Sequence, residues 1–105
     1  MALYLVVKRT EAQFRNRWMG KKLLELHTDS KLLATIKSHG DERIFIKLPK
    51  EGSTICCGKF EKAVDEPDGT FRVFFTETAE YVAVVPGQVE FHRRTYGEGP
   101  DPIEI

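Results

Sequence analysis

The chain has 105 residues, of which 41% are hydrophobic and 30% are charged, and its formal net charge is zero. This length suits one domain and is too short for two independent hydrophobic cores. The composition argues against a disordered chain, and no run approaches the roughly 18 apolar residues of a membrane span, so we expect no membrane partner.

The first element is predicted to be a strand over residues 3–8, "LYLVVK", which is rich in β-branched and aromatic side chains. Apolar residues occupy both odd and even positions, which is typical of a strand buried on both faces at the centre of a sheet. The apolar run 2–7 is too short for the hydrophobic region of a signal peptide. With two cysteines in the chain, we expect a soluble cytoplasmic protein.

A short helix is predicted next, starting at Glu11. Thr10 and Gln13 have the spacing of a capping box, in which each side chain bonds the other residue's backbone amide. Phe14 and Trp18 are four residues apart and therefore share one face of that helix.

Residues 21–50 admit two interpretations. In one, Asp29 or Ser30 caps a helix that ends near Gly40. In the other, the segment forms three strands joined by turns: 24–26, 32–36 and 44–48. We favour the strands, because "RIFIKL" has the strand pattern and "SHGDE" has the spacing of a hairpin turn.

The second half of the chain predicts strands separated by turns. "STICCGKFEKAV" and "TFRVFFTE" flank a Pro-Asp-Gly turn, and "EYVAVV" and "QVEFHRR" flank Pro86-Gly87, where glycine is expected to supply a positive φ. Residues 96–105 contain glycines, prolines and acidic residues and predict a flexible acidic tail. The predicted organisation is one globular domain over 1–95 followed by that tail.

Together the elements predict an α+β fold that is mainly antiparallel β. We expect a small, strongly bent sheet or partly open barrel with one short N-terminal helix.

Adjacent Cys56 and Cys57 are the most reactive residue types in the chain. On a strand their side chains point to opposite faces, so they cannot jointly hold a metal ion without local distortion. We interpret both cysteines as small apolar residues, of which at least one is buried. Gly58 could mark a bulge that breaks the alternation of side chains on this strand.

The sequence contains no recognisable catalytic motif. The three histidines are far apart, and no glycine-rich phosphate loop or hydrolase motif is present. We predict no catalytic residues, metal site or cofactor, and expect a binding or regulatory domain rather than an enzyme.

Basic residues are concentrated in 8–22, where six of them accompany one acidic residue and two aromatic residues. Basic side chains interleaved with aromatic ones favour binding to nucleic acid or another polyanion. For Phe14 and Trp18 we favour anchoring of the helix on the sheet, which still leaves the arginines able to contact a polyanion. The arginines of "FHRR" extend the basic surface only if the last strand lies near the helix. The candidate contacts are Lys8, Arg9, Arg15, Arg17, Lys21, Lys22, Arg93 and Arg94.

Phe74 supports an alternative function, which is binding to a protein partner. In "FRVFFTE", Phe71, Val73 and Phe75 share one face, and Phe74 lies on the other. If that face is solvated, Phe74 is a candidate contact for a protein partner; if it is covered, Phe74 belongs to the core, the option we favour. A small enzyme is the third class, and it needs a polar pocket that holds a cysteine or a histidine.

Overall fold

The computed structural model describes residues 1–8, 10, 12–13, 16, 24–49, 55–93 and 95–105. Residues 12, 13 and 16 are helical. The remaining elements are β1 (Ala2–Val6), β2 (Leu24–Thr28), α1 (Ser30–Ser38), β3 (Ile44–Lys47), β4 (Ile55–Asp65), β5 (Phe71–Tyr81), β6 (Ala83–Val84), β7 (Glu90–His92), β8 (Tyr96–Gly99) and β9 (Ile103–Glu104).

Seven strands form one mixed sheet in the order β2-β5-β4-β3-β1-β8-β7, curled into a half-barrel. Every pair in it is antiparallel except β1 and β3, which are parallel. A small second sheet pairs β6 with β9. The prediction of a mainly antiparallel, strongly bent sheet is therefore confirmed.

The central position predicted for β1 is confirmed as well. Leu3 and Leu5 belong to a core on the side of the sheet that α1 covers, and Ala2 and Tyr4 belong to a second core on the opposite side. We call these the helix-side core and the opposite core. Burial on both faces explains why β1 is apolar at odd and even positions alike.

The long hairpin of β4 and β5 contains two irregularities. Its register shifts twice, between Cys57 and Lys59 and between Phe60 and Lys62. At the first shift Glu77 has φ +52°. Because an extra residue on one strand increases twist and bends the pair, these two bulges contribute to the curl of the sheet.

The strand favoured over residues 32–36 is wrong, since this segment lies within the helix α1. The Asp29 carboxylate caps it by accepting a hydrogen bond from the Leu32 amide at 2.8 Å. Leu33 and Ile36 are buried on one helical face, whereas Ala34 is exposed. A strand would have buried Ala34 and turned Leu33 outward, so the helical period places more apolar surface in the core.

Of the two predicted turns, the Pro-Asp-Gly turn agrees with the structure, whereas the Pro86-Gly87 turn agrees only in part. Glu66–Thr70 joins β4 to β5 as expected, with Gly69 at φ +85° and a 3.0 Å bond from the Glu66 amide to the Thr70 carbonyl. Pro86 also begins a turn, since its carbonyl accepts from the Val89 amide at 3.2 Å. However, Gly87 does not have the positive φ expected, and the flanking strands β6 and β7 pair with β9 and β8 instead of each other.

The capping box predicted at Thr10 and Gln13 is present. The Gln13 amide donates to Thr10 Oγ1 at 3.2 Å, and the Thr10 amide donates to Gln13 Oε1 at 3.1 Å. The predicted helix contacts of Phe14 and Trp18 lie outside the described residues.

Residues 96–105, for which the sequence predicts a tail, contain two strands in the structure. β8 lies between β1 and β7, where Gly97 pairs with Tyr4 and Phe91. A Cβ atom at Gly97 would lie 2.5 Å from the backbone oxygen of Glu90. The glycine that suggested flexibility therefore permits close strand contact instead.

Candidate functional site

A cavity of about 390 Å³ opens where the end of β2, the first turn of α1 and the turn after β7 meet. We call it the cleft. Its polar lining residues come from two distant parts of the sequence: His27, Thr28, Asp29, Lys31, His92, Arg93, Thr95 and Tyr96. The volume falls in the range of sites that hold one small ligand, roughly 300–1,000 Å³.

The junction of β2 and α1 positions the lining residues that belong to segment 27–32. Asp29 has an extended backbone, with φ −83° and ψ 174°, and ends β2 while capping the helix. Lys31 then falls in the first helical turn, which contains no acidic residue. The N-terminal end of α1, which the Asp29 carboxylate caps, and the cationic Lys31 side chain thus lie beside the same cavity.

The turn after β7 positions the second group of lining residues, which includes His92, Arg93 and Thr95. Arg93 has φ +51°, and both the amide and the hydroxyl of Thr95 donate to the His92 carbonyl, at 3.0 Å and 2.9 Å. The Val6 amide donates to the Thr95 carbonyl at 2.8 Å, which joins this turn to the end of β1. The positive φ of Arg93 is an uncommon conformation for a non-glycine residue, and it is typical of turns and functional sites.

The cleft is cationic. Lys31 and Arg93 are cationic side chains, and His27 and His92 add imidazole rings. Asp29 is the one acidic residue among the described lining residues, and its carboxylate is already bonded to the Leu32 amide. An anionic ligand is therefore the chemical class that fits this lining.

The sequence-predicted basic residues converge only in part within the described chain. Arg93 lines the cleft, and Lys8 is exposed two residues beyond Val6, at the end of β1 that the 92–95 turn contacts. The other predicted contacts lie outside the described residues: Arg9, Arg15, Arg17, Lys21, Lys22 and Arg94.

Sequence reasoning missed Lys31, His27, Thr28 and His92 as site residues. The available signal was the helix cap at Asp29, because a cap marks the positive end of a helix. That signal could not be used while residues 32–36 were interpreted as a strand.

Phe74 lies on the face of β5 opposite Val73 and Phe75, which are buried in the helix-side core. It is half-buried, and Lys62 Nζ lies 5.2 Å from the centroid of its ring. The described members of the two cores do not include Phe74.

The cysteines are free, buried and divided between the two cores, as alternation on β4 predicts. Cys56 belongs to the helix-side core and Cys57 to the opposite core. Burial raises the pKa of the Cys56 thiol to about 11 and also raises the pKa of Cys57. Neither is a reactive thiolate, because reactive cysteines are exposed and have lowered pKa values.

His39 forms a second polar cluster with Glu42 and Glu98. Its Nδ1 lies 3.0 Å from Glu42 and its Nε2 lies 3.0 Å from Glu98, with the side chain 7% exposed. Both ring nitrogens are engaged, so this histidine joins the end of α1 to β8 rather than offering a free nitrogen to a ligand. Among the described residues, no group of three or more His, Cys, Asp or Glu side chains is placed to hold a metal ion.

Comparisons of the chain with protein-family models, with curated proteins and with solved structures found no match. Within the described part of the chain, no helix has the length and apolar character needed to cross a membrane.

Proposed function

We propose that this domain binds nucleic acid, or another polyanion that carries phosphate groups, through the cleft and the basic residues around it. The observation that carries the proposal is the meeting of Lys31 and Arg93 in one cavity, although 61 residues separate them in the sequence. Phosphate contacts by lysine and arginine supply most of the affinity of nucleic-acid-binding proteins.

The local charge supports this proposal better than the overall charge does. The chain is formally neutral, so a general attraction of polyanions by net charge does not operate. Binding must instead come from a concentrated basic surface. The proposed contacts are those of the cleft together with the sequence-predicted set: Lys8, Arg9, Arg15, Arg17, Lys21, Lys22, Arg93 and Arg94.

The test is a titration of fluorescent mixed-sequence oligonucleotides, single- and double-stranded, at low and high salt. We expect affinity to fall steeply with salt because phosphate contacts release counterions. On a single strand, Lys31→Gln and Arg93→Gln should each reduce the slope of log K against log salt by about 0.7. Lys37→Gln, at the opposite end of the same helix, is the matched control and should leave the slope unchanged.

Salt-independent binding, or equal slopes for the Lys31 and Lys37 variants, would contradict the proposal. Circular dichroism of each variant should match that of the parent protein, because all three side chains are exposed and none belongs to a described core.

A second candidate is an interaction with a protein partner through Phe74. A half-buried aromatic ring outside both described cores, on an 11-residue hairpin strand, has the character of an interface anchor. Phe74→Glu should abolish capture of the partner. Val84→Glu, which changes an exposed apolar residue on the small sheet, should not.

A further inference from the structure

The small sheet of β6 and β9 presents an apolar face to solvent. Val84 pairs with Ile103 in its register, and the Ile105 amide donates to the Val82 carbonyl at 3.4 Å, which continues that register by one more pair of side chains on the same face. Directly opposite residues of an antiparallel pair share a face, as do residues two apart on one strand. These four side chains therefore lie together, and we call them the valine-isoleucine face.

The solvent-facing side of this sheet is unusually apolar. Its four side chains are all exposed: Val82 61%, Val84 46%, Ile103 59% and Ile105 87%. On the other side of the same sheet, Ala83 is 7% exposed and belongs to the opposite core. A sheet with one covered face usually carries polar side chains on its solvated face. An apolar solvated face is instead typical of a surface that another protein covers.

The area of this face decides what kind of partner fits it. Of the six large apolar side chains exposed in the described part of the chain, four lie here. Their exposed area is on the order of 400 Å². Two facing copies would bury about 800 Å² of apolar surface, and a polar rim raises the total to about 1,000–1,200 Å², the lower limit of specific interfaces. The area therefore fits a weak dimer with a second copy of this chain.

Two-fold symmetry suits the pattern of side chains on this face. A two-fold axis parallel to the strands places β6 of one copy over β9 of the other, so that valines lie opposite isoleucines. Sheets that pack face to face lie about 10 Å apart with interdigitated side chains. Such an interface needs only one patch that complements itself, and dimers of this symmetry are the commonest oligomers.

Acidic residues flank the face along the chain. Glu80 and Asp101 are exposed, and each comes two residues before a member of the face. Neither residues 73–91 nor residues 95–105 contain a lysine or an arginine. Charges at the rim of an interface change the salt dependence of association more than its strength. Two copies bring carboxylates of like sign together, so salt should strengthen the dimer by screening their repulsion.

We propose that this domain forms a weak two-fold dimer in which the valine-isoleucine faces of two copies pack together. The described lining of the cleft includes none of the four side chains, so the two surfaces are separate. The inference therefore goes beyond the proposed function, and its test uses no nucleic acid.

The experiment is sedimentation equilibrium of the whole chain over a wide concentration range, at low and high sodium chloride. We expect a monomer–dimer equilibrium with a dissociation constant of roughly 10–100 µM, and a smaller constant at high salt. Ile103→Glu should raise the dissociation constant about tenfold or more, because each copy would bury an unpaired carboxylate. Val64→Glu, which changes an exposed apolar residue on β4 outside the face, is the matched control and should leave the constant unchanged.

A second substitution separates loss of the interface from loss of the fold. Val82→Glu changes the other strand of the face at an exposed position and should raise the dissociation constant to a similar extent. Circular dichroism and the thermal midpoint of the monomer should stay close to those of the parent protein for both variants, because exposed substitutions change stability little.

Several results would overturn this inference. They are a monomer at every concentration and salt, a dimer that dissociates as salt rises, and a dimer that Val64→Glu weakens as much as Ile103→Glu does. A monomer that binds a peptide of alternating valine and lysine, and loses that binding in Ile103→Glu, would assign the face to a cationic protein partner and also overturn the dimer. None of these results alters the binding of nucleic acid proposed for the cleft, so the two proposals fail separately.

Discussion

Burial of Cys56 and Cys57 on opposite faces of one strand explains why adjacent thiols form no joint site. Cys56 is 0% exposed and Cys57 is 3% exposed. The raised pKa of Cys56, about 11 against the usual 9.0, also lowers the thiolate fraction at neutral pH by about a hundredfold. Position on the strand and burial act together to make the pair unreactive.

Thiol labelling of the native protein tests this account at the level of single residues. Neither cysteine should react with a thiol reagent at neutral pH until the domain unfolds, so labelling in urea should be at least about a hundredfold faster. Rapid and equal labelling of both cysteines in the native protein would mean that the strand or its bulge is misplaced.

The glycine at position 97 shows how tightly β8 is built into the sheet. An alanine Cβ there would lie 2.5 Å from the Glu90 carbonyl oxygen, which is backbone and cannot rotate away. We expect Gly97→Ala to lower the free energy of unfolding by about 1–3 kcal/mol.

Gly87→Ala is the matched control for this prediction. No atom lies within 4 Å of a Cβ placed at Gly87, and its φ is not positive. Its effect on the free energy of unfolding, measured in urea, should therefore stay within about 0.5 kcal/mol. Equal effects of the two substitutions would show that β8 is not packed as described.

At the level of elements, α1 depends on its N-cap. The Asp29 carboxylate accepts from the Leu32 amide at 2.8 Å. Asp29→Ala should therefore destabilise the domain by about 1 kcal/mol in urea unfolding. Asp41→Ala, at an exposed turn position after the helix, is the control and should have little effect. No loss on removing Asp29 would contradict the helix start.

An element could be predicted from the sequence when its pattern of neighbouring residues fitted only one structure. The central strand, the capping box at Thr10 and the hairpin turn at Gly69 each depend on neighbouring residues, and all three were predictable. The helix α1 was not, because Leu32 and Ile36 fit both a two-residue and a helical period. Only burial of Leu33 in the tertiary structure decides between them.

At the scale of the whole molecule, the cleft is a product of topology. β8 and its preceding turn join the sheet beside β1, and the chain from β2 to α1 reaches the same end of the half-barrel. Arg93 was identifiable from its basic neighbour, but its meeting with Lys31 depends on pairings between distant strands. A single sequence contains no local signal for such a meeting.

The central claim is that this cleft binds phosphate groups of a nucleic acid, and amide chemical-shift mapping tests it most directly. A short single-stranded oligonucleotide would be titrated into the isotopically labelled protein at low salt. We expect the largest shifts at Thr28, Lys31 and the 92–95 turn, and their reversal at high salt. Absence of shifts, or the largest shifts in the small sheet of β6 and β9 beyond the other end of β5, would contradict it.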